Sequence, residues 1–178
     1  MLIRGSFGNV LIFYLISGFA LRLEVEAVGC PSFPFLEEIP EPKVYVKNVD
    51  GLQRAVGSAL PGSTILLEPG VYRLNSTVAV RIPDIALKGR GDRCDDVILK
   101  GRGMENADYR GAPHGIWTDA SGLTVQNLTI RDFYNHGIVL NPGAESPTFQ
   151  NIRILDTGKQ LIKANPSAFG DGVDGGLV

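Results

Sequence analysis

Cysteine, histidine, methionine and tryptophan are all scarce in this chain of 178 residues. The two cysteines and two histidines do not lie at the spacing of a tetrahedral metal site, which argues against a zinc-stabilised domain. The chain also lacks an excess of charge, because 17 lysines and arginines face 19 acidic residues and long basic runs are absent. We therefore expect no nucleic-acid partner.

Long hydrophobic runs are also missing, and the longest one lies near the N-terminus between Val10 and Leu21. It is shorter than the roughly 20 apolar residues that a transmembrane helix needs, so we expect no membrane span. A basic start at Arg4, a short apolar core and a small-residue cleavage site predict a signal peptide over residues 1–27. A buried N-terminal helix is the alternative. Export would make the mature protein secreted, periplasmic or attached to the cell surface.

The segment after the leader, residues 28–43, is rich in proline and glutamate and is predicted to be an extended linker. It contains Cys30, which ends a stretch that resembles a bacterial lipoprotein box, so a lipid anchor on Cys30 is one possible mode of export. Cys30 and Cys94 could also pair in an oxidising compartment. We favour a third arrangement, in which Cys94 is a single thiol in the core.

One short amphipathic helix is predicted after the linker. Asp50 is a plausible cap, apolar residues follow at helical spacing, and Pro61-Gly62 ends the run. Beyond this point, apolar strings of three to five residues alternate with turn signals. Strands that are so short and so frequent indicate a repetitive all-β architecture.

An internal repeat supports this interpretation, since a shift of 24 residues places Asn127-Leu-Thr-Ile-Arg-Asp132 over Asn151-Ile-Arg-Ile-Leu-Asp156. In a solenoid, equivalent residues stack on neighbouring coils about 4.8 Å apart. Ile130 and Ile154 would then fill the interior. The two asparagines would stack at a bend, and the two aspartates would bind a cation or, as we expect, lie apart in water. An antiparallel sandwich remains the alternative fold.

Two stretches carry a resemblance to a known group of proteins, Val49-Asp-Gly-Leu-Gln-Arg-Ala-Val and Ala59-Leu-Pro-Gly-Ser-Thr-Ile-Leu-Leu-Glu-Pro-Gly-Val-Tyr72. They resemble the opening of the pectate-lyase-like superfamily, and the similarity extends over about residues 44–165. The resemblance implies an all-β right-handed parallel β-helix over residues 44–178, with a short N-terminal α-helix as its cap. Relatives usually have further coils, so the β-helix is expected to be truncated at the C-terminus.

The same resemblance implies a carbohydrate-active protein. The expected function is that of an exported polysaccharide lyase or glycoside hydrolase whose partner is an acidic polysaccharide. A noncatalytic, adhesin-like surface protein that binds glycans is the alternative, because the fold does not select among these functions.

Several residues are candidates for such chemistry. His136 is a candidate base, Arg131 a clamp for a sugar carboxylate, and Lys159 a base or charge neutraliser by analogy with lyase relatives. A lone histidine beside a turn more often has a structural role, which is the alternative for His136. Asp171 and Asp174 lie among glycines and could bind Ca²⁺, although a solvated turn explains the same pattern. Residues 104–113 interrupt the strand pattern and are predicted to form a loop that walls a substrate cleft. A surface loop without a role in binding is the alternative.

Overall fold

The protein is described by a computed structural model over residues 15–16, 19–20, 29–33, 39, 41–106, 111–167 and 172–177. Within these ranges the chain forms a right-handed parallel β-solenoid of about five turns with one short helix. The predicted fold class is therefore confirmed. The segment predicted to be a signal peptide is described only at β1 (Leu15–Ile16) and β2 (Phe19–Ala20), so most of that prediction lies outside the described residues.

Successive coils contribute their strands to three faces of the solenoid. Face 1 contains β3 (Lys43–Val46), β4 (Thr64–Leu67), β7 (Ala86–Gly89) and the first parts of β10 (Thr124–Phe133) and β12 (Thr148–Thr157). Face 2 contains β5 (Gly70–Arg73), β8 (Val97–Lys100) and the second parts of β10 and β12. Face 3 contains β6 (Val78–Val80), β9 (His114–Thr118), β11 (His136–Leu140) and β13 (Ile162–Ala164). All of these strands pair in parallel.

The interior is a column of aliphatic side chains that point inward from each coil. On face 2, Tyr72, Leu99 and Ile130 are register partners and are almost completely buried. The residues on either side of them point outward, as the two-residue period of a strand requires. Burial of this column, at roughly 25 cal/mol for each Å² of apolar surface, is the main source of stability.

Asparagines turn the chain from face 1 to face 2 in the two long strands. Asn127 and Asn151 adopt left-handed backbone angles, with φ of 53° and 48°, which asparagine tolerates better than most residues. The Asn151 amide donates to Asn127 Oδ1 at 2.8 Å, and the Asn127 amide donates to the carbonyl oxygens of Gly89 and Gly91. The predicted asparagine stack is therefore present, and it satisfies backbone acceptors of the coil below.

The helix α1 (Val49–Ser58) covers the N-terminal end of the interior. Leu52, Ala55 and Val56 are its buried residues. Its cap is Asn48, whose side chain accepts a hydrogen bond from the Gly51 N–H at 2.8 Å. The prediction of Asp50 as the cap was wrong, because the helix begins at Val49 and Asp50 lies within its first turn.

A disulfide between Cys30 and Cys94 joins the N-terminal segment to the turn that precedes β8. The described residues 29–33 lie against this turn, and the Phe33 N–H donates to the carbonyl oxygen of Asp92. The prediction of Cys94 as a single core thiol was wrong. The possible lipid anchor on Cys30 is also contradicted, because the disulfide occupies the sulfur that a lipid would need.

Candidate functional site

An open groove of about 620 Å³ lies at the corner where face 2 ends. We call it the basic groove, and it is lined by residues that include Arg73, Asn75, Lys100, Arg102, Asn106 and Asp132. Arg102 and Asn106 belong to the loop after β8, within or just before the predicted 104–113 excursion, of which residues 107–110 lie outside the described residues. The described part of this loop forms one wall of the groove, and its role in a substrate cleft stays a prediction.

Two cations from consecutive coils, Arg73 and Lys100, line the basic groove, and Arg131 continues their column on the next coil. Arg73 is the register partner of Lys100, and Lys100 is the register partner of Arg131. Each is the outward residue at the end of its strand segment on face 2, so the three positive charges form a column along the solenoid axis. Coils are stacked about 4.8 Å apart, so the three basic side chains start from closely spaced positions.

Two aspartates lie beside this column and form ion pairs with it. Lys100 Nζ lies 3.2 Å from Asp132 Oδ2, and Arg131 Nε lies 3.0 Å from the same oxygen. Arg131 also donates from Nη2 to Asp156 Oδ2 at 2.8 Å. The expectation that Asp132 and Asp156 lie apart in water was therefore wrong, because one arginine bridges both carboxylates.

The charge state of Asp132 follows from these contacts. Burial alone would raise the pKa of the Asp132 carboxyl, but hydrogen bonds from Arg131 and Lys100 outweigh it and hold the pKa below its usual value. Asp132 is therefore an anion at neutral pH. Its left-handed backbone, with φ of 63°, is matched one coil later by Asp156 with φ of 51°.

The candidate base His136 lies at the start of β11, on face 3, and is only 4% exposed. Its ring stacks on that of His114, with centroids 5.1 Å apart and planes within 3° of parallel. Its Nδ1 accepts a hydrogen bond from the Gln160 N–H at 3.2 Å, which requires an unprotonated nitrogen. These contacts bury His136 and give it a structural partner on each side.

Both imidazoles are held in the neutral form. Burial, together with the charges of His136 and the neighbouring lysines, lowers the pKa of His114 to about 4. Burial and then the charges of Lys163 and Lys159 lower the pKa of His136. Neutral rings can stack face to face without charge repulsion, so the environment and the stacking support each other.

The structure brings together only part of the predicted catalytic set. Lys159 is exposed and lies close enough to His136 to influence its protonation. Arg131 is instead on face 2, where it binds Asp132 and Asp156. The predicted trio of His136, Lys159 and Arg131 therefore divides between two faces.

The predicted Ca²⁺ site has no support within the described residues. Asp171 lies outside them, so its role stays a prediction. Asp174 is exposed, and its backbone N–H donates to Glu145 Oε2 at 2.7 Å. In the described ranges, no three histidine, cysteine or acidic side chains gather as a metal site would require.

Sequence reasoning missed Arg73, Lys100 and Arg102. A signal for two of them was present, since Val71-Tyr72-Arg73, Ile98-Leu99-Lys100 and Thr129-Ile130-Arg131 each place a basic residue after an inward one. Aligning these three segments would have placed the cations in one column.

No protein-family model, curated protein or solved structure matches the chain. None of the helical segments in the described part of the chain has the length and apolar character needed to cross a membrane. The functional assignment therefore depends on the geometry and charge of the site.

Proposed function

We propose that the protein is an exported, carbohydrate-active protein that binds an acidic polysaccharide in the basic groove. The observation that carries this proposal is that three cations, Arg73, Lys100 and Arg102, line one groove. Arg73 and Lys100 are register partners on consecutive coils. A guanidinium recognises a carboxylate or sulfate through paired hydrogen bonds. An open groove lined by two guanidiniums and a lysine suits a polymer that carries negative charges.

Export is supported by the disulfide between Cys30 and Cys94. Disulfides persist in oxidising compartments and are rare in the cytosol, where thiols are kept reduced. The apolar leader over residues 1–27 has the features of a signal peptide. Expression of the full chain with a C-terminal tag, followed by N-terminal sequencing of the protein outside the cytoplasm, tests this part of the proposal.

A second candidate function is cleavage of the bound polymer by β-elimination. In such a reaction a base removes the proton at C5 of a uronate, the bond from C4 to the leaving oxygen breaks, and that oxygen receives a proton. Cations on the uronate carboxylate stabilise the charge that develops at C5. The cations that line the basic groove, Arg73, Lys100 and Arg102, favour this chemistry.

Hydrolysis fits the same groove less well. A glycoside hydrolase needs two carboxyl groups, one of which is protonated in the resting enzyme. The low pKa of Asp132 and the bridging of Asp132 and Asp156 by Arg131 oppose this role for the two acids. Between the two enzymatic activities, the groove therefore favours the lyase.

The proposed function is tested by titrating the protein with polygalacturonate, alginate and chondroitin sulfate, using dextran as an uncharged control polymer. We expect at least one acidic polymer to bind, dextran not to bind, and affinity to fall with added salt because the contacts are exposed ion pairs. Ultraviolet absorbance from unsaturated products would identify a lyase. Binding without product would identify the noncatalytic, glycan-binding protein, and equal binding of dextran would contradict the proposal.

A further inference from the structure

The ion pairs beside the cationic column follow a diagonal rule. Lys100, on the second complete coil, pairs with Asp132 on the third, and Arg131, on the third, pairs with Asp156 on the fourth. Each cation thus binds the acid that follows the last strand residue of the next coil. The acids occupy equivalent positions, because Arg131 is the register partner of Leu155 and each precedes an aspartate.

This diagonal rule is broken at the first coil. The cation there is Arg73, and the residue that follows its register partner Lys100 is Gly101, which has no side chain. Among the described residues, neither Arg73 nor Arg102 forms an ion pair or a side-chain hydrogen bond, whereas Lys100 and Arg131 both do. We call this series of diagonal cation–acid pairs the ladder. At its first position the cation, Arg73, is present, but Gly101 stands where the acid would be.

The glycine at this place is required by close packing. A Cβ on Gly101 would overlap the carbonyl oxygen of Asp132 and crowd the ring of Phe133. Both of these groups are fixed, since Asp132 is held by its ion pairs and Phe133 is fully buried. The chain therefore cannot supply an acid at position 101 without rearranging the coil above it.

The space beside Gly101 is part of the basic groove. Arg73 and Asn75 line it from the first coil, and Arg102 and Asn106 line it from the second. Asp132 closes it on the side of the third coil and repels a second anion there. The opening thus has two guanidiniums that attract an anion, and the negative charge of Asp132 limits it on one side.

We infer that the place beside Gly101 is an anion subsite, in which Arg73 and Arg102 bind one carboxylate or sulfate group of the ligand. The inference rests on the proposed function and narrows its ligand class. The next two cations, Lys100 and Arg131, are already paired with Asp132 and Asp156. The ladder therefore accepts one anionic group of the ligand and not several consecutive ones. An acidic glycan with widely spaced charges meets this requirement better than one with a charge on every sugar.

The test is calorimetric titration of the full chain with two defined probes. One is a disaccharide with a single uronate, and the other is a neutral disaccharide with a single sulfate ester, so that the source of the anion is distinguished. The variants are Arg73→Gln, Arg102→Gln and Asp132→Asn, with Lys88→Gln as a control that removes a charge from the outer side of face 1. Asn at position 132 retains the left-handed backbone that Asp132 adopts.

We expect Arg73→Gln and Arg102→Gln each to weaken binding of the preferred probe about tenfold, as loss of one charge-assisted contact predicts. Lys88→Gln should bind as the wild type does. Asp132→Asn should bind densely charged polygalacturonate several times more tightly, because a second place is then open. Matching unfolding temperatures would establish that the variants are folded.

Two outcomes separate failure of this inference from failure of the proposed function. If the wild type binds an acidic glycan and both arginine variants bind it equally well, the subsite is refuted and the proposed function stands. If the wild type binds no acidic polymer or probe, both are refuted. Unchanged binding of polygalacturonate by Asp132→Asn would refute the claim that the ladder acids exclude further anions.

Discussion

Ile130 and Ile154 are register partners in adjacent parallel strands, and both point into the interior of the solenoid. Their sequence separation is the shift at which the repeat was recognised. A stack of equivalent residues makes each coil depend on the one beside it for burial of its apolar side chains. The two isoleucines are therefore a direct means of testing the architecture.

We expect Ile130→Ala to lower the free energy of unfolding by about 2–5 kcal/mol, because Ile130 is completely buried and its removal leaves a cavity. Ile154→Ala should cost less, because Ile154 is only partly buried. Urea unfolding followed by circular dichroism measures both. Equal costs would show that the two positions are not packed as described.

Removal of the disulfide should destabilise the fold. The bond closes a loop with a sequence separation of 64, and its loss costs about 4 kcal/mol if it acts by limiting the unfolded chain. The double variant Cys30→Ser with Cys94→Ser should unfold at lower urea than the oxidised wild type. Added reductant should lower the stability of the wild type and leave the double variant unchanged, whereas a wild type insensitive to reductant would contradict the bond.

The stacked histidines predict that stability falls in mild acid. In the unfolded chain His114 takes up a proton near pH 6.5, whereas in the fold its pKa is about 4. The unfolded state thus binds protons first as pH falls, and the free energy of unfolding decreases between about pH 6.5 and pH 4. Above about pH 6.5 His114 is neutral in both states, and the free energy of unfolding no longer depends on its protonation.

Thermal unfolding across the same pH range measures this effect. The double variant His114→Gln with His136→Gln should have a flatter pH profile than the wild type. If the two profiles are parallel, other groups titrate in this range and the histidine pair is not responsible.

Two variants of Asn127 distinguish the contribution of its left-handed backbone from that of its side-chain hydrogen bonds. Asn127→Gly keeps the left-handed backbone but loses the two hydrogen bonds to Gly89 and Gly91 and the one that Asn127 accepts from Asn151, and should cost about 1–3 kcal/mol. Asn127→Ala should cost about 1–2 kcal/mol more, because alanine disfavours a φ of 53°. Chemical denaturation of both variants tests the order, and equal stabilities would contradict the role of the backbone angle.

The sequence predicted those parts of the fold that repeat at constant spacing. Ile130 with Ile154 and Asn127 with Asn151 keep one separation, so a single shift aligned them. The cationic column does not keep it, because loops of different length lie between Arg73, Lys100 and Arg131. Its register is set by strand pairing and not by sequence distance. The sequence therefore predicts a binding role for Arg131 and not for Arg73 or Lys100.

The sequence allowed the disulfide and the burial of His136 as alternatives, but it could not decide them, for different reasons. Cys30 lies in a segment without strand periodicity, so nothing in the sequence indicates that it returns to the turn containing Cys94. His136 follows a turn, a position that suits either a base or a structural residue, and the contacts with the His114 ring and the Gln160 N–H that bury it come from neighbouring coils. Both depend on contacts between coils that sequence distance does not specify.

The link between Cys30 and Cys94 also changes what a protease can release from the molecule. Between these two cysteines lie α1 and the strands from β3 to β7, which form the N-terminal end of the solenoid. A single cut anywhere in that interval yields two polypeptides that remain one covalent unit until a thiol reductant separates them. A nicked molecule would therefore keep its end cap, and with it the protection of the interior, in the extracellular setting proposed for it.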